Sequence, residues 1–143
     1  MWWVRAGDYL DPIAARDRCR LILADERAQG RSDRSAAAGT WSIKQMAADV
    51  TALAMTLDLM TLDLPSYGVL GHSFGAFLAL QHAVDFPGAA AVTVVSAVEA
   101  AEDMTERLPA AELAVFEDSA HMCYVEEQER YVGTVSDFLD RHA

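Results

Sequence analysis

The chain has 143 residues, 52% of them apolar, and it carries a formal net charge of −11. This length suits one globular domain with a hydrophobic core, and the composition excludes a disordered chain. The acidic excess repels the phosphates of nucleic acids and of anionic membranes. We therefore predict a single domain over residues 1–143, with no nucleic-acid partner and no membrane partner.

The two cysteines, Cys19 and Cys123, belong neither to a CxxC pair nor to a cluster with histidines. Isolated cysteines give no support to a zinc site and are typical of a reducing compartment. The N-terminus lacks the basic-then-apolar order of a signal peptide, and no apolar run reaches the roughly 18 residues of a membrane span. The sequence therefore predicts a soluble, cytoplasmic protein without a metal.

The first part of the chain alternates between helix and strand signals. Apolar residues at helical spacing predict a helix over residues 8–18, and the short apolar run at residues 21–24 predicts a strand. A second helix is predicted over residues 42–59, because Ser42 and Gln45 have the spacing of a capping box at its start.

The rest of the chain continues this alternation. In chain order the pattern predicts a strand at 67–70, an apolar helix at 74–86, a strand at 89–97, a helix at 99–108, a strand at 112–117 and a helix at 127–141. Strands that alternate with helices indicate a parallel sheet covered on both faces. We therefore predict an α/β fold with a small parallel sheet of about four strands.

The central motif is Gly71-His72-Ser73-Phe74-Gly75, a G-x-S-x-G sequence between a predicted strand and a predicted helix. This context is typical of a nucleophile elbow, in which a sharp turn exposes the serine at the strand end. The start of the following helix supplies free N–H groups and a positive dipole end. We therefore predict Ser73 as a nucleophile and the N–H of Phe74 as an oxyanion donor.

A serine hydroxyl needs a general base to react at neutral pH. His121 follows the predicted strand at 112–117 by a short polar loop, so it should emerge at the same sheet edge as Ser73. His72 adjoins the serine and should point elsewhere, His82 lies within a predicted helix, and His142 lies near the chain end. We therefore predict His121 as the base.

Three stretches of the sequence, residues 21–33, 67–83 and 115–121, resemble the α/β-hydrolase family, in particular its proline-iminopeptidase-like and esterase-like members. With the flanking helices, the similarity runs over most of the chain. The resemblance implies a Ser–His–acid triad and cleavage of esters or amides without a cofactor.

The sequence also departs from that family. Family members are considerably longer, and the similarity begins within the family's first helix, so the leading strands and the oxyanion loop have no counterpart beyond residues 1–7. The lid domain and the strand that usually carries the acid are absent after Ala97. Position 28 holds Ala where the family usually has Gly. The second oxyanion donor has no counterpart in the sequence, and a backbone N–H near Trp2 or Trp3 is the candidate.

The acid of the triad would hold the tautomer of His121 and stabilise its imidazolium form. Some family members place this acid after the strand that follows the nucleophile helix, and Glu99 matches that position. Asp103 comes next, and Asp118 is close to His121 in sequence. A Ser–His dyad without an acid remains an alternative.

These features predict a serine hydrolase that cleaves small carboxylic esters through an acyl-enzyme on Ser73. The alternative is a non-catalytic remnant that acts as an interaction module. A peptidase follows only from the resemblance, and it is disfavoured because aminopeptidase members hold the substrate's amino end with lid residues. The missing strands leave open sheet edges and apolar surface, so we predict a homodimer.

Overall fold

The computed structural model describes residues 6–17, 21–34, 37–57, 67–86, 90–94 and 112–142. The contacts divide the chain into two compact units, one formed by Met1–Leu23 and Val95–Arg141 and the other by Ala24–Val94 with His142–Ala143. The single domain expected over residues 1–143 stays a prediction. No helix in the described parts of the chain is long and apolar enough to cross a membrane.

The described elements follow the predicted order closely. They are α1 (Ala6–Asp17), a 3-10 turn (Ala38–Thr40), α2 (Ile43–Thr56), β1 (Gly68–His72), α3 (Phe74–Asp85), β2 (Ala90–Val94), α4 (Cys123–Glu126) and α5 (Gln128–His142). The predicted helices at 8–18, 42–59, 74–86 and 127–141 are confirmed within a few residues at their ends. The predicted helix at 99–108 lies outside the described residues.

The N-terminus of α2 forms half of the predicted capping box. The N–H of Gln45 donates to Ser42 Oγ at 3.1 Å, which satisfies one of the N–H groups that a helix start leaves unpaired. The Gln45 side chain, however, donates to Asp49 Oδ1 at 3.5 Å. The cap therefore fixes where α2 begins, and the amide of Gln45 supports a carboxylate one turn further on.

A β-α-β arrangement forms the centre of the second unit. Strands β1 and β2 pair in parallel, with register from Gly68↔Ala90 to His72↔Val94. Helix α3 connects them and packs against both strands and α2, burying Ala76, Leu78, Ala79 and His82. The parallel pairing of the two predicted strands and the α/β character of the unit are confirmed.

Two other predicted strands are wrong. Residues 21–24 and 112–117 belong to no strand, so the sheet in the described part of the chain has two strands instead of about four. A short apolar run becomes a strand only when a neighbouring edge takes up its backbone hydrogen bonds. These runs keep apolar side chains in solvent, with Leu23 49% exposed and Leu113 42% exposed.

Aromatic side chains form the core of the first unit. The rings of Tyr124 and Tyr131 meet edge to face with centroids 6.1 Å apart, and Tyr9 of α1 makes the same kind of contact with Tyr124. Gln128 donates to the backbone carbonyl of Tyr9 at 3.1 Å. These contacts fix the start of α5, which is separated from His121 only by the short helix α4.

His82 lies fully buried in the second unit and links three segments of it. Its Nδ1 is 3.4 Å from the carbonyl oxygen of Ala47 and 3.2 Å from Thr51 Oγ1, and its Nε2 is 3.0 Å from the hydroxyl of Tyr67. A carbonyl can only accept, so Nδ1 carries the proton of the neutral ring and Nε2 accepts from Tyr67. His82 is thus a packed core residue, as its position within a helix suggested.

Burial lowers the pKa of His82 below its ordinary value, although the Ala47 carbonyl and the nearby Asp85 oppose the shift. The unfolded state then binds more protons than the folded state at mildly acidic pH. We expect the stability that neutral, buried His82 gives the fold to be fully present above about pH 6.5, the ordinary histidine pKa. The free energy of unfolding should fall as the pH drops below that value. Urea denaturation at several pH values should show this slope, and H82Q should show a smaller one.

Candidate active site

Ser73 occupies the turn between β1 and α3 with a strained backbone. Its dihedral angles are φ 54° and ψ −119°, and it is one of two non-glycine residues with positive φ in the described parts of the chain. Such a conformation costs of order 1–3 kcal/mol for a residue with a Cβ and persists only where the surroundings enforce it. This is the backbone of a nucleophile elbow, and it places a half-exposed serine at the strand end.

Close packing explains the two glycines of the motif. A Cβ added to Gly71 would collide with the carbonyl group of Gly75 and would lie 2.7 Å from the backbone nitrogen of Ala76. These are backbone atoms of the following helix, which cannot move aside without distorting the turn. A Cβ on Gly75 would meet only Glu26 Oε1, at 3.3 Å.

The first turn of α3 begins directly after Ser73. The carbonyl of Ser73 accepts from the N–H of Ala76 at 3.0 Å, so the serine caps the helix with its backbone and leaves its side chain unused for capping. The N–H of Phe74 is the first in α3 and has no acceptor within the helix. The elbow thus places the Ser73 hydroxyl, which makes no hydrogen bond to the start of α3, next to the N–H of Phe74.

A loop at residues 25–32, in the same unit as Ser73, has an internally bonded structure. The carboxylate of Asp25 accepts from the backbone N–H of Arg31 at 3.0 Å and from its Nε at 3.1 Å, and Ser32 Oγ donates to the carbonyl of Asp25 at 2.7 Å. The bonds to Arg31 hold the pKa of Asp25 below its ordinary value. Gly30 has φ +49°, and a Cβ there would lie 2.5 Å from the Asp25 carboxylate carbon.

A two-pronged ion pair joins this loop to α2. Arg27 Nε donates to Asp49 Oδ2 at 2.8 Å, and its Nη2 donates to Oδ1 at 2.6 Å. This geometry is the strongest that a guanidinium and a carboxylate can form. The hydrogen bonds lower the pKa of Asp49 and raise that of Arg27. The loop is therefore held at both ends, by Arg31 within itself and by Asp49 from the helix.

Between these two pairs, Glu26 is a functional candidate that the sequence analysis missed. It is half-buried, its Oε1 faces Gly75 of the elbow, and burial raises the pKa of its carboxyl group. The only signal in the sequence was its place two residues after the apolar run at 21–24, which was predicted to be a strand ending at the edge where α/β proteins build sites. Nothing in the spacing of Glu26 and Ser73 indicated that the two segments would meet.

Ala28, the position where the sequence departs from the family's glycine, has φ +64°. A Cβ in this left-handed region costs roughly 1–2 kcal/mol, which is partly offset because glycine loses more entropy on folding. We therefore expect A28G to raise the free energy of unfolding by about 0.5–1 kcal/mol. Urea denaturation would measure this, and an unchanged or lower stability would contradict the assigned backbone conformation.

In the first unit, two glutamates hold the loop that carries His121. Ser119 Oγ donates to Glu127 Oε1 at 2.6 Å, and the N–H of Ala120 donates to Glu126 Oε2 at 2.7 Å. The hydroxyl of Ser119, together with Arg130, lowers the pKa of Glu127. The two residues before the exposed His121 are therefore anchored, Ala120 to Glu126 at the end of α4 and Ser119 to Glu127 just after it.

Arg130 of α5 completes this anchoring. It donates to Glu127 Oε2 at 2.8 Å and to the carbonyl of Val115 at 2.7 Å. Its guanidinium carbon lies 4.8 Å from the centroid of the Phe116 ring, a distance at which a cation and an aromatic face attract each other. Residues 115–120 are thus held without a β partner, by contacts from α5 and from Glu126 and Glu127, and they support the loop that carries His121.

The predicted site residues fall in different parts of the molecule. Ser73 and Phe74 belong to the second unit, and His121 and Asp118 to the first. The pairing of Ser73 with His121 stays a prediction. Asp118 is exposed, and its carboxylate makes no hydrogen bond to another described residue, which weakens it as the acid. Glu99, Asp103, Trp2 and Trp3 lie outside the described residues.

No group of three or more His, Cys, Asp or Glu side chains in the described ranges could hold a metal ion. Residues 1–98 match the family described as the alpha/beta hydrolase fold, a range that includes the loop at 25–32 and the whole elbow. Neither the curated proteins nor the solved structures give a significant match to the chain.

Proposed function

Since this chain belongs to the α/β-hydrolase family, we propose that it is a serine hydrolase that cleaves small carboxylic esters through an acyl-enzyme on Ser73. The observation that carries this proposal is the strained positive-φ backbone of Ser73 between β1 and α3. A fold without use for this turn would gain stability by relaxing it or by placing glycine there.

The chemistry follows from the groups around the turn. Ser73 Oγ attacks the ester carbonyl carbon while His121 accepts the hydroxyl proton, and the carbonyl oxygen becomes an oxyanion that the N–H of Phe74 stabilises. The tetrahedral intermediate breaks its bond to the alcohol oxygen, which takes the proton from His121. Water then repeats these two steps on the acyl-enzyme and releases the acid. Glu99 is the proposed third member, which would orient His121.

Two measurements on the whole chain test this function. A fluorophosphonate should label the wild type and fail to label S73A, and hydrolysis of p-nitrophenyl acetate should fall by several orders of magnitude in S73A, as triad removal does elsewhere. The matched control is S42A, which removes an exposed serine hydroxyl from the cap of α2. It should lose about 1 kcal/mol of stability and keep both labelling and turnover.

A non-catalytic interaction module is the second candidate, and exposed apolar side chains favour it. Phe74 and Phe77, one turn apart on α3, are 47% and 42% exposed. Large apolar side chains grouped on a surface often mark a place where another molecule binds. A folded protein that neither labels with fluorophosphonate nor hydrolyses any ester would favour this function over the hydrolase.

We also propose that the protein forms a homodimer. Met55 and Val84 are each 62% exposed, and a twofold assembly would cover the same apolar surface on both copies. Light scattering at micromolar concentration should give a mass near twice 15.6 kDa. A mass near that of one chain would reject the dimer without affecting the proposed chemistry.

A further inference from the structure

The loop at residues 25–32, near the nucleophile, contains a carboxylate that neither of the loop's arginines neutralises. Its two arginines are already engaged by other carboxylates, Arg31 by Asp25 and Arg27 by Asp49. Glu26 lies between these pairs, and its carboxylate makes no hydrogen bond or ion pair with any residue that the structure describes. A half-buried carboxylate without a counter-charge is costly, and such groups cluster at functional sites.

The position of this carboxylate places its charge close to the reacting serine. A methyl on Gly75 would come 3.3 Å from Glu26 Oε1, so the oxygen lies within about 5 Å of Gly75 Cα. Gly75 is two residues after Ser73, which limits their Cα separation to about 7.6 Å. The loop cannot easily carry Glu26 away, because Asp49 and the Asp25–Arg31 pair hold it on both sides.

We propose that Glu26 sets the charge preference of the Ser73 site, so that the protein favours esters bearing a quaternary ammonium or protonated amine over uncharged ones. This inference rests on the proposed function. The carboxylate attracts a positive group on the substrate, and it disfavours the developing oxyanion of an uncharged ester. Glu26 is thus a specificity-determining residue that acts through its charge and forms no covalent bond.

This arrangement predicts that loss of the Glu26 charge affects cationic and uncharged substrates differently. Between unit charges roughly 8–12 Å apart in a partly buried site, Coulomb's law gives an effect of about tenfold or somewhat more. E26Q keeps the shape of the side chain and removes its charge. We expect E26Q to lower kcat/KM for a cationic ester by about tenfold and to leave unchanged or raise kcat/KM for its uncharged isostere.

The experiment uses two pairs of isosteric esters with the whole chain. One pair places the charge on the alcohol, with trimethylammonioethyl acetate and the analogue in which carbon replaces nitrogen. The other places it on the acyl group, with the p-nitrophenyl esters of trimethylammoniobutanoate and of its carbon isostere. The matched control is D33N, which removes one charge from an exposed position just beyond the same loop and should leave the preference unchanged.

A cationic preference in either pair that E26Q abolishes and D33N retains would support the inference. Equal kcat/KM values within both pairs, or a preference that survives in E26Q, would overturn it while the hydrolase remains established by Ser73-dependent turnover. Loss of the preference in both E26Q and D33N would also overturn it, because the cause would then be net charge. An absence of any Ser73-dependent turnover would overturn the inference together with the proposed function.

Discussion

Replacing Gly71 by alanine is expected to destroy the elbow. The added Cβ would collide with the carbonyl group of Gly75 and press on the nitrogen of Ala76, and neither backbone atom can move without breaking the first turn of α3. We expect G71A to lower the free energy of unfolding by about 3 kcal/mol or more, near the upper end of what overpacking costs. Urea denaturation would measure the loss, and fluorophosphonate labelling of Ser73 should disappear even in conditions where the variant is folded.

Two other glycine variants serve as matched controls for G71A. A Cβ on Gly39 has nothing within 4 Å, so G39A should keep both stability and labelling. A Cβ on Gly75 meets only the end of the flexible Glu26 side chain, and alanine is the better helix former by about 1 kcal/mol, so G75A should be close to neutral in stability. If G71A were as stable as G39A, the proposed packing of the elbow would be incorrect.

The local sequence predicted the parts of the fold that depend on neighbouring residues. Ser42 and Gln45 indicated where α2 begins, and the G-x-S-x-G sequence between an apolar strand and an apolar helix indicated the turn at Ser73. These features arise from interactions within a few residues, namely capping and backbone sterics. They can therefore be predicted without knowing the rest of the molecule.

The errors arose where structure depends on distant partners. Residues 21–24 and 112–117 have the composition of strands, but β pairing requires an edge that local sequence does not specify. In its place Arg130, fifteen residues after Val115, takes up the Val115 carbonyl. The approach of Glu26 to Gly75 of the elbow also brings together segments far apart in the chain. The strained turn at Ser73 could thus be predicted from local sequence, whereas the carboxylate near it could not, and the roles of Ser73 and His121 stay predictions.

Replacing His121 by alanine is expected to abolish ester hydrolysis while leaving the fold intact. The imidazole is exposed, so its removal creates no cavity, and the hydrogen bonds of Ser119 and Ala120 to Glu127 and Glu126 continue to hold its loop. Without a base the serine hydroxyl is a weak nucleophile, and we expect kcat to fall by roughly 10³-fold or more. Initial rates with p-nitrophenyl acetate, together with an unchanged urea midpoint, would establish this.

The choice of control histidine matters for this test. H142A removes an exposed imidazole near the end of α5 and should keep full activity. H82A is unsuitable, because His82 is buried and bonded to Tyr67 and to the Ala47 carbonyl, so its loss should lower stability by several kcal/mol through a cavity and unpaired polar groups. A protein in which H121A and H142A hydrolyse the ester equally fast would exclude His121 as the base, whereas loss of activity in H121A alone would assign the role to it.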